Sequence, residues 1–275
     1  MRRPVLCLLS AVAVILQSCG PSGGTGRTER AHSAEELYNQ GHEYYINRNL
    51  DSAAALLQRS VALDSANVPA LTDLGEVQYE IGMRVSGEDD PARLAMFRAA
   101  RGTLIRLESL GSQDSPVYER LCELSVALDD NRSFLRYAKR NAEKFPYDRQ
   151  TYNLGLAYYQ TGDYASAVKV TKQAVEKFRQ SSFIGGFHRT LGLSYMKQDR
   201  DQTATRILEN GVEAVDSRIG ELKKAGTDPS SPDFRRLTDD RTGILTVLRK
   251  LYATYKDQQR LERVERLLRE TGQLK

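Results

Sequence analysis

The sequence predicts an all-α protein assembled from short antiparallel helix pairs, and three observations carry that expectation. From Asp148 to Ser181, small and apolar residues recur at three- and four-residue steps. Thr151, Leu154, Gly155 and Tyr158 share one face, and Ala167, Thr171 and Ala174 share the next, with Thr161-Gly162-Asp163 between them. The spacing returns elsewhere: Gly75 lies 34 residues after Gly41. Proline is scarce, at 8 of 275 residues, and long stretches lack the alternation that marks a strand. Within the central pair, Gly155 and Ala167 lack bulk, so two helices can approach closely while Leu154 and Tyr158 fill the space around them. One such pair cannot bury its apolar face alone, so it requires neighbours.

The order Leu154-Gly155, Tyr158 three residues on and Ala167 nine further on resembles the tetratricopeptide repeat (TPR), whose unit is about 34 residues. The resemblance implies a right-handed superhelix of antiparallel helix pairs, with about five repeats and a C-terminal capping pair.

The chain opens with Arg2 and Arg3 and an apolar run from Val5 to Leu16. That run is shorter than the roughly 20 residues a membrane span needs, and it fits the apolar region of a signal peptide over residues 1–18. Leu16-Gln17-Ser18-Cys19 resembles a bacterial lipobox, with Gln17 as a departure from the usual residue. The resemblance implies cleavage before Cys19, acylation of that cysteine and anchoring in a bacterial envelope, since each buried CH₂ contributes about 0.8 kcal/mol. Gly20 stands where an Asp would signal inner-membrane retention, which favours the outer membrane. An ordinary secretory signal with an incidental cysteine is the competing reading. Residues 19–33 read as a flexible tether. Its glycines do not make a phosphate loop, because no Gly-Lys-Ser/Thr follows.

The helical array is expected over residues 34–226. Ser33 and Glu36 have the spacing of a capping box. Leu37, Gly41, Tyr44, Ala53 and Leu57 mark the first repeat, and Leu71, Leu74 and Gly75 begin the second. An insertion of about thirteen residues then displaces Phe97, Ala100 and Leu104. Asp90-Pro91 reads as an N-cap and first-turn proline, so the insertion is expected to lengthen that second helix. The third repeat, Ser115 to Tyr147, carries Phe134 at a place that wants a small residue. The fourth is the central stretch. In the fifth, Leu191, Gly192, Tyr195, Ala204 and Leu208 match, and its second helix meets no breaker before Gly226. After the break at Thr227–Asp233, residues 234–275 form a capping pair in which Arg249 replaces the glycine and Glu265 an apolar residue. The last helix has a polar outer face suited to a cap, or to a short coiled coil with another chain.

Net charge is +4, of which Arg2 and Arg3 supply two, leaving too little for a nucleic-acid binder. Its distribution is uneven: residues 28–90 carry 12 acidic against 4 basic residues, while 91–150 carry 8 against 11. Solvated faces or an extended groove with a charge gradient both account for this. Of the three cysteines only Cys122 falls inside the repeats, where a buried, inert thiol is expected. His32, His42 and His188 lie far from any second ligand at metal spacing, and no nucleophile elbow or CxxC is present. The chain is therefore expected to be a binding protein, neither enzyme nor cofactor carrier.

The TPR resemblance assigns groove-facing places on the first helix of each pair. Those places hold Glu35, Tyr38, His42 and Tyr45; Thr72, Glu76 and Tyr79; Glu119 and Glu123; Arg149, Tyr152, Leu156 and Tyr159; and Arg189, Leu193 and Met196. Tyrosine recurs, and its ring buries much area with few rotors. Arg149 with Asn153 is a fragment of the Lys/Asn/Arg clamp by which some TPR domains hold a terminal carboxylate. The expected partner is a protein segment, basic where it meets Glu35, Glu76, Glu119 and Glu123. The alternative is a structural subunit of an outer-membrane assembly or secretion complex that binds through its convex face.

Overall fold

The computed structural model describes residues 32–272; the expected leader, Cys19 and all but the last two residues of the expected tether lie outside them. The described residues form twelve α-helices and no strand: α1 (Ala34–Ile46), α2 (Leu50–Leu63), α3 (Val68–Arg84), α4 (Pro91–Ser109), α5 (Ser115–Ala127), α6 (Asn131–Lys144), α7 (Asp148–Gln160), α8 (Tyr164–Lys177), α9 (Ile184–Met196), α10 (Asp201–Lys224), α11 (Pro232–Thr254) and α12 (Gln258–Glu270). Successive helices pack as antiparallel pairs. Each even helix then packs on the next odd one, so the odd helices line one face of the stack.

A single register recurs through the stack. The missing side chain of Gly41 faces Leu57, that of Gly155 faces Thr171 and that of Gly192 faces Leu208, each sixteen residues on. A Cβ at these glycines would lie 2.9, 2.6 and 2.6 Å from its neighbour, so the helix crossings tolerate nothing larger. Gly155 thus packs on Thr171 rather than on Ala167. Gly75 faces Leu104, and the extra thirteen residues of that step are the insertion. In the last pair the same places hold Arg249 and Glu265, and their side chains pair at 3.1 Å. An ion pair has replaced a packing contact at the end of the stack, where one side is solvent.

The turns follow the register too. Seven residues after the glycine position the chain takes positive φ: Arg48 (62°), Asp129 (52°), Gly162 (81°), Asp199 (57°) and Lys256 (56°). Only one of these five is the residue that adopts such a φ without cost. The next residue caps the following helix, as Asn49, Asp130, Asp163 and Asp257 do through a side chain accepting a backbone N–H. In the second pair, that place is Gly82, which lies inside a helix against the Phe97 ring, 2.7 Å from the position of a Cβ. The insertion therefore lengthens both helices, α3 to 17 residues and α4 to 19, and not the second alone. Asp90 accepts the Ala92 N–H at 2.8 Å, and Ser33 and Glu36 form their reciprocal cap at 3.1 and 2.9 Å.

Two apolar cores result. One runs from Leu50 to Ala157, with Phe134 buried inside it; the other runs from Ile184 to Leu268. Between them lies an aromatic joint of Phe183 and Phe187, against which Tyr152 and Phe178 pack. The helices α10 and α11, at 24 and 23 residues, are the longest and extend the second core past the joint.

Candidate functional site

Side chains of the odd helices reach across to one another along the face they share. Between α1 and α3, His42 Nδ1 lies 2.6 Å from Asp73, Tyr45 donates to Glu80 at 3.1 Å, and Arg48 pairs with Glu80 at 3.0 Å. Burial and the Glu80 charge push the Tyr45 phenol up to about 12. Tyr38 and His42 lie ring to ring, with centroids 5.7 Å apart.

Between α3, α5 and α7 the bridges are ionic. Arg120 makes a bidentate pair with Glu76, its shortest bond 2.7 Å, and also pairs with Glu123. Its guanidinium lies 3.7 Å from the centre of the Tyr79 ring, which stacks on Phe97. Burial opposes the Arg120 charge, but the hydrogen bond and charge of Glu76 hold it above the usual guanidinium range. Arg149 closes the ladder on Glu119 at 3.1 Å and Glu123 at 2.9 Å, and Gln150 donates to Glu119 at 2.5 Å.

The row of carboxylates is therefore not open. Glu76, Glu119 and Glu123 are each held by Arg120 or Arg149, while Glu35 is exposed on the first turn of α1. Arg120 is invisible to the groove-facing spacing because it is adjacent to Glu119 and falls outside that pattern. Asp73 and Glu80 are missed for the same reason; only the neighbouring helix shows what they face. Even so, five carboxylates (Asp73, Glu76, Glu80, Glu119 and Glu123) meet three guanidiniums (Arg48, Arg120 and Arg149), which leaves this stretch acidic.

At α7, α9 and α11 the seam changes character. Tyr152 lies against Phe183 and Phe187, and its ring reaches within 2.5 Å of where a Gly186 side chain would begin. It is largely a packing residue rather than a free contact ring, and burial raises its phenol. Arg189 pairs with Asp240 at 3.4 Å, and Arg236 lies 3.9 Å from the centre of the Phe183 ring. Asp240 is only 6% exposed. Burial raises its carboxyl above the ordinary range, against the pull of Arg189, Arg236 and the Gly186 N–H. Tyr159 is half-buried beside Tyr164, and Leu156, Leu193 and Met196 are likewise half-buried.

Cys122 is 1% exposed, and burial together with Glu123 and Glu119 pushes its thiol up to about 12, so it packs without reacting. Among the described residues no group of three or more His, Cys, Asp or Glu is placed to hold a metal ion, and no helix is long and apolar enough to cross a membrane.

Six antiparallel pairs in one register, with small residues at the crossings of all but the last, define a TPR solenoid. Solved structures share the fold. MamA superposes with a TM-score of 0.55 at 18% identity, over 67% of this chain and 93% of that one. YrrB, described as a TPR protein with an unusual peptide-binding site, gives 0.55 at 16% identity, over 66% and 86%. MamA from Desulfovibrio magneticus RS-1 gives 0.53 at 16% identity, over 67% and 96%. At these identities the likeness is one of fold. No family model matches the chain, and no curated protein matches it.

Proposed function

We propose that the chain is an interaction scaffold, lipid-anchored through Cys19 at the outer membrane of a bacterial envelope, which holds a segment of a partner protein along the face of α1, α3, α5, α7 and α9. The observation that carries this reading is the pre-set wall of that face. Its charged and aromatic side chains are held by partners on neighbouring helices, so little rotamer freedom is left to lose on binding. YrrB, of the same fold, is described as having a peptide-binding site, which agrees with this use. The acidic excess between α1 and α7 favours a segment with basic residues. Single exposed carboxylates contribute little, yet a field of one sign raises the association rate of an opposite ligand. The lipid anchor rests on the lipobox-like Leu16-Gln17-Ser18-Cys19.

The test is a capture from envelope extracts, followed by kinetics with the captured protein. Reversing Glu76 and Glu119 to Lys slows association and flattens its salt dependence, and Tyr159→Ala speeds dissociation. Equal rates and equal salt slopes for wild type and variants move the contact to the even-helix, convex side and favour the structural-subunit reading. Cys19→Ala abolishes labelling by a fatty-acid probe; an unchanged mature size with intact membrane attachment overturns the anchor.

A further inference from the structure

The side of the stack opposite the groove carries a charge that the fold does not require. On α6 the outward stripe, opposite buried Phe134, Ala138 and Asn141, holds Arg132, Arg136, Lys139 and Arg140 against Glu143. On α8 the stripe opposite Ala167, Thr171 and Ala174 adds Lys169 and Lys172 against Glu176. On α4 the stripe opposite Phe97, Ala100 and Leu104 adds Arg98 and Arg106. These eight cations meet two carboxylates, an excess larger than the net charge of +4 on the whole chain. Arg140 pairs with Glu108 of α4; among the described residues the other seven have no carboxylate partner, and all of them but half-buried Lys139 are exposed.

The excess is local. At the same places in the register α10 holds Arg206, Glu209, Asn210 and Glu213, and α2 holds Ala55, Gln58 and Arg59. A face kept only soluble mixes its signs, as α10 does. The three basic stripes form one surface, because Arg140 reaches Glu108 on α4, and Glu143 of α6 lines a shared cleft with Val170 and Gln173 of α8. Pointing outward from a convex side, the cations diverge, so they suit an extended array of anions more than one compact ion. Ile105 stands among them, 40% exposed, an apolar side chain of the kind that a headgroup layer accepts.

We infer that the outward face of α4, α6 and α8 lies on the anionic headgroups of the bilayer that carries the lipid anchor, with the groove of the odd helices turned away. The choice of occupant rests on the anchor proposed above. Residues 20–32 separate Cys19 from Ser33 and span under about 50 Å when extended. The bilayer is then always within that reach, and a weak contact with it becomes an intramolecular one. A lipid chain combined with a basic patch attaches more firmly than either alone, each Lys or Arg near an anionic surface adding its share. A flat surface can touch a convex side but cannot enter the groove. A second copy would offer its acidic groove, but Glu76, Glu119 and Glu123 are already held by Arg120 and Arg149 and have little charge left to give.

Ser33–Lys275 forms one compact unit that holds both apolar cores, so the experiment needs neither leader nor anchor. This unit is sedimented with vesicles of phosphatidylcholine alone and of phosphatidylcholine with about one third phosphatidylglycerol. Binding to the anionic vesicles is expected to be about tenfold or more tighter, and to fall in molar salt. Lys169→Glu with Lys172→Glu weakens it about tenfold or more. Lys197→Glu with Lys250→Glu makes the same change in net charge at exposed places at the end of α9 and on α11, and weakens it less than about threefold. Equal binding to both vesicles, no binding to either, or an equal loss in the two double variants overturns the inference. Tighter binding to polyglutamate than to the anionic vesicles makes the occupant an acidic polypeptide and overturns it too. Because the unit lacks Cys19 and the variants leave the groove carboxylates in place, failure here leaves the anchor and the groove standing, and loss of either leaves this comparison decisive.

Discussion

The two ends of the stack join their odd helices by different means. From α1 to α7 the helices are bridged by long side chains, Arg48, Arg120 and Arg149 reaching acidic residues on their neighbours. From α7 to α11 they pack backbone to side chain, with Gly185 against Asp240 and Val215, Gly186 against Tyr152, and Gly243 against Arg189. The first seam leaves its polar groups at the surface, where water and a ligand compete for them. The second buries them: Asp240 is 6% exposed, and its carboxylate faces the Gly186 N–H at the start of α9, whose own N-cap Phe183 offers no side-chain acceptor. A seam of bridges is adjustable and salt-sensitive; a seam of glycines is rigid and sensitive to volume.

The largest effect expected from this contrast is at Gly185. A Cβ there would lie 2.6 Å from Asp240 Cβ and 2.8 Å from Val215 Cγ2, neither of them the free end of a flexible chain. Gly185→Leu should lower stability by about 3 kcal/mol or more, read as a fall in the urea midpoint with helical signal retained at low denaturant. A midpoint within error of wild type breaks the distinction between the seams.

Asp240→Ala comes next, at about 2 kcal/mol, because Arg189 loses its ion-pair partner, the Gly186 N–H loses its acceptor and Arg236 loses a nearby opposite charge. Its pH dependence has a defined sign. The Asp240 carboxyl is raised in the folded state, so its contribution is fully present below the ordinary aspartate value of about 3.9 and is lost as pH rises through the raised value. The stability of wild type relative to Asp240→Asn should therefore fall across that window. A difference that stays flat, or rises, contradicts the burial argument.

Arg120→Ala should cost about 1 kcal/mol, since its side chain is 23% exposed and stacks on Tyr79 as well as pairing with Glu76. Molar salt should shrink the difference between wild type and variant, whereas the Gly185→Leu deficit should persist in salt. The smallest effect has the opposite sign. Gly102 sits within α4, and a methyl group at that position would meet nothing within 4 Å. Gly102→Ala should therefore raise the thermal midpoint by an amount equivalent to about 0.5–1 kcal/mol.

How far the sequence can be read differs between the two seams for a physical reason. Periodicity tells which residues of α1–α7 share a side of their helix, because that is a local property, and the TPR resemblance is what names that side a groove. It does not place their partners, because Arg120 meets Glu76 only after two helices have been stacked, 44 positions apart in the chain. Tyr152 shows the same limit: its spacing marks a groove-facing place, and only the nearness of Gly186 turns it into packing. The insertion is legible as extra length after Gly75, but its division between α3 and α4 depends on Gly82 lying under Phe97.

The helices, their caps and their common register follow from the chain alone. Each rests on contacts within about one repeat, such as Ser33 with Glu36 or Gly192 with Leu208, and such contacts recur wherever the spacing recurs. The state of each charged or aromatic side chain does not follow from it. Whether Glu123 is free or paired and whether Tyr152 is a contact or a wall depend on the residue that the next helix brings alongside. That residue is set by the stacking of repeats, and the free energy of each pair depends on the burial that stacking creates.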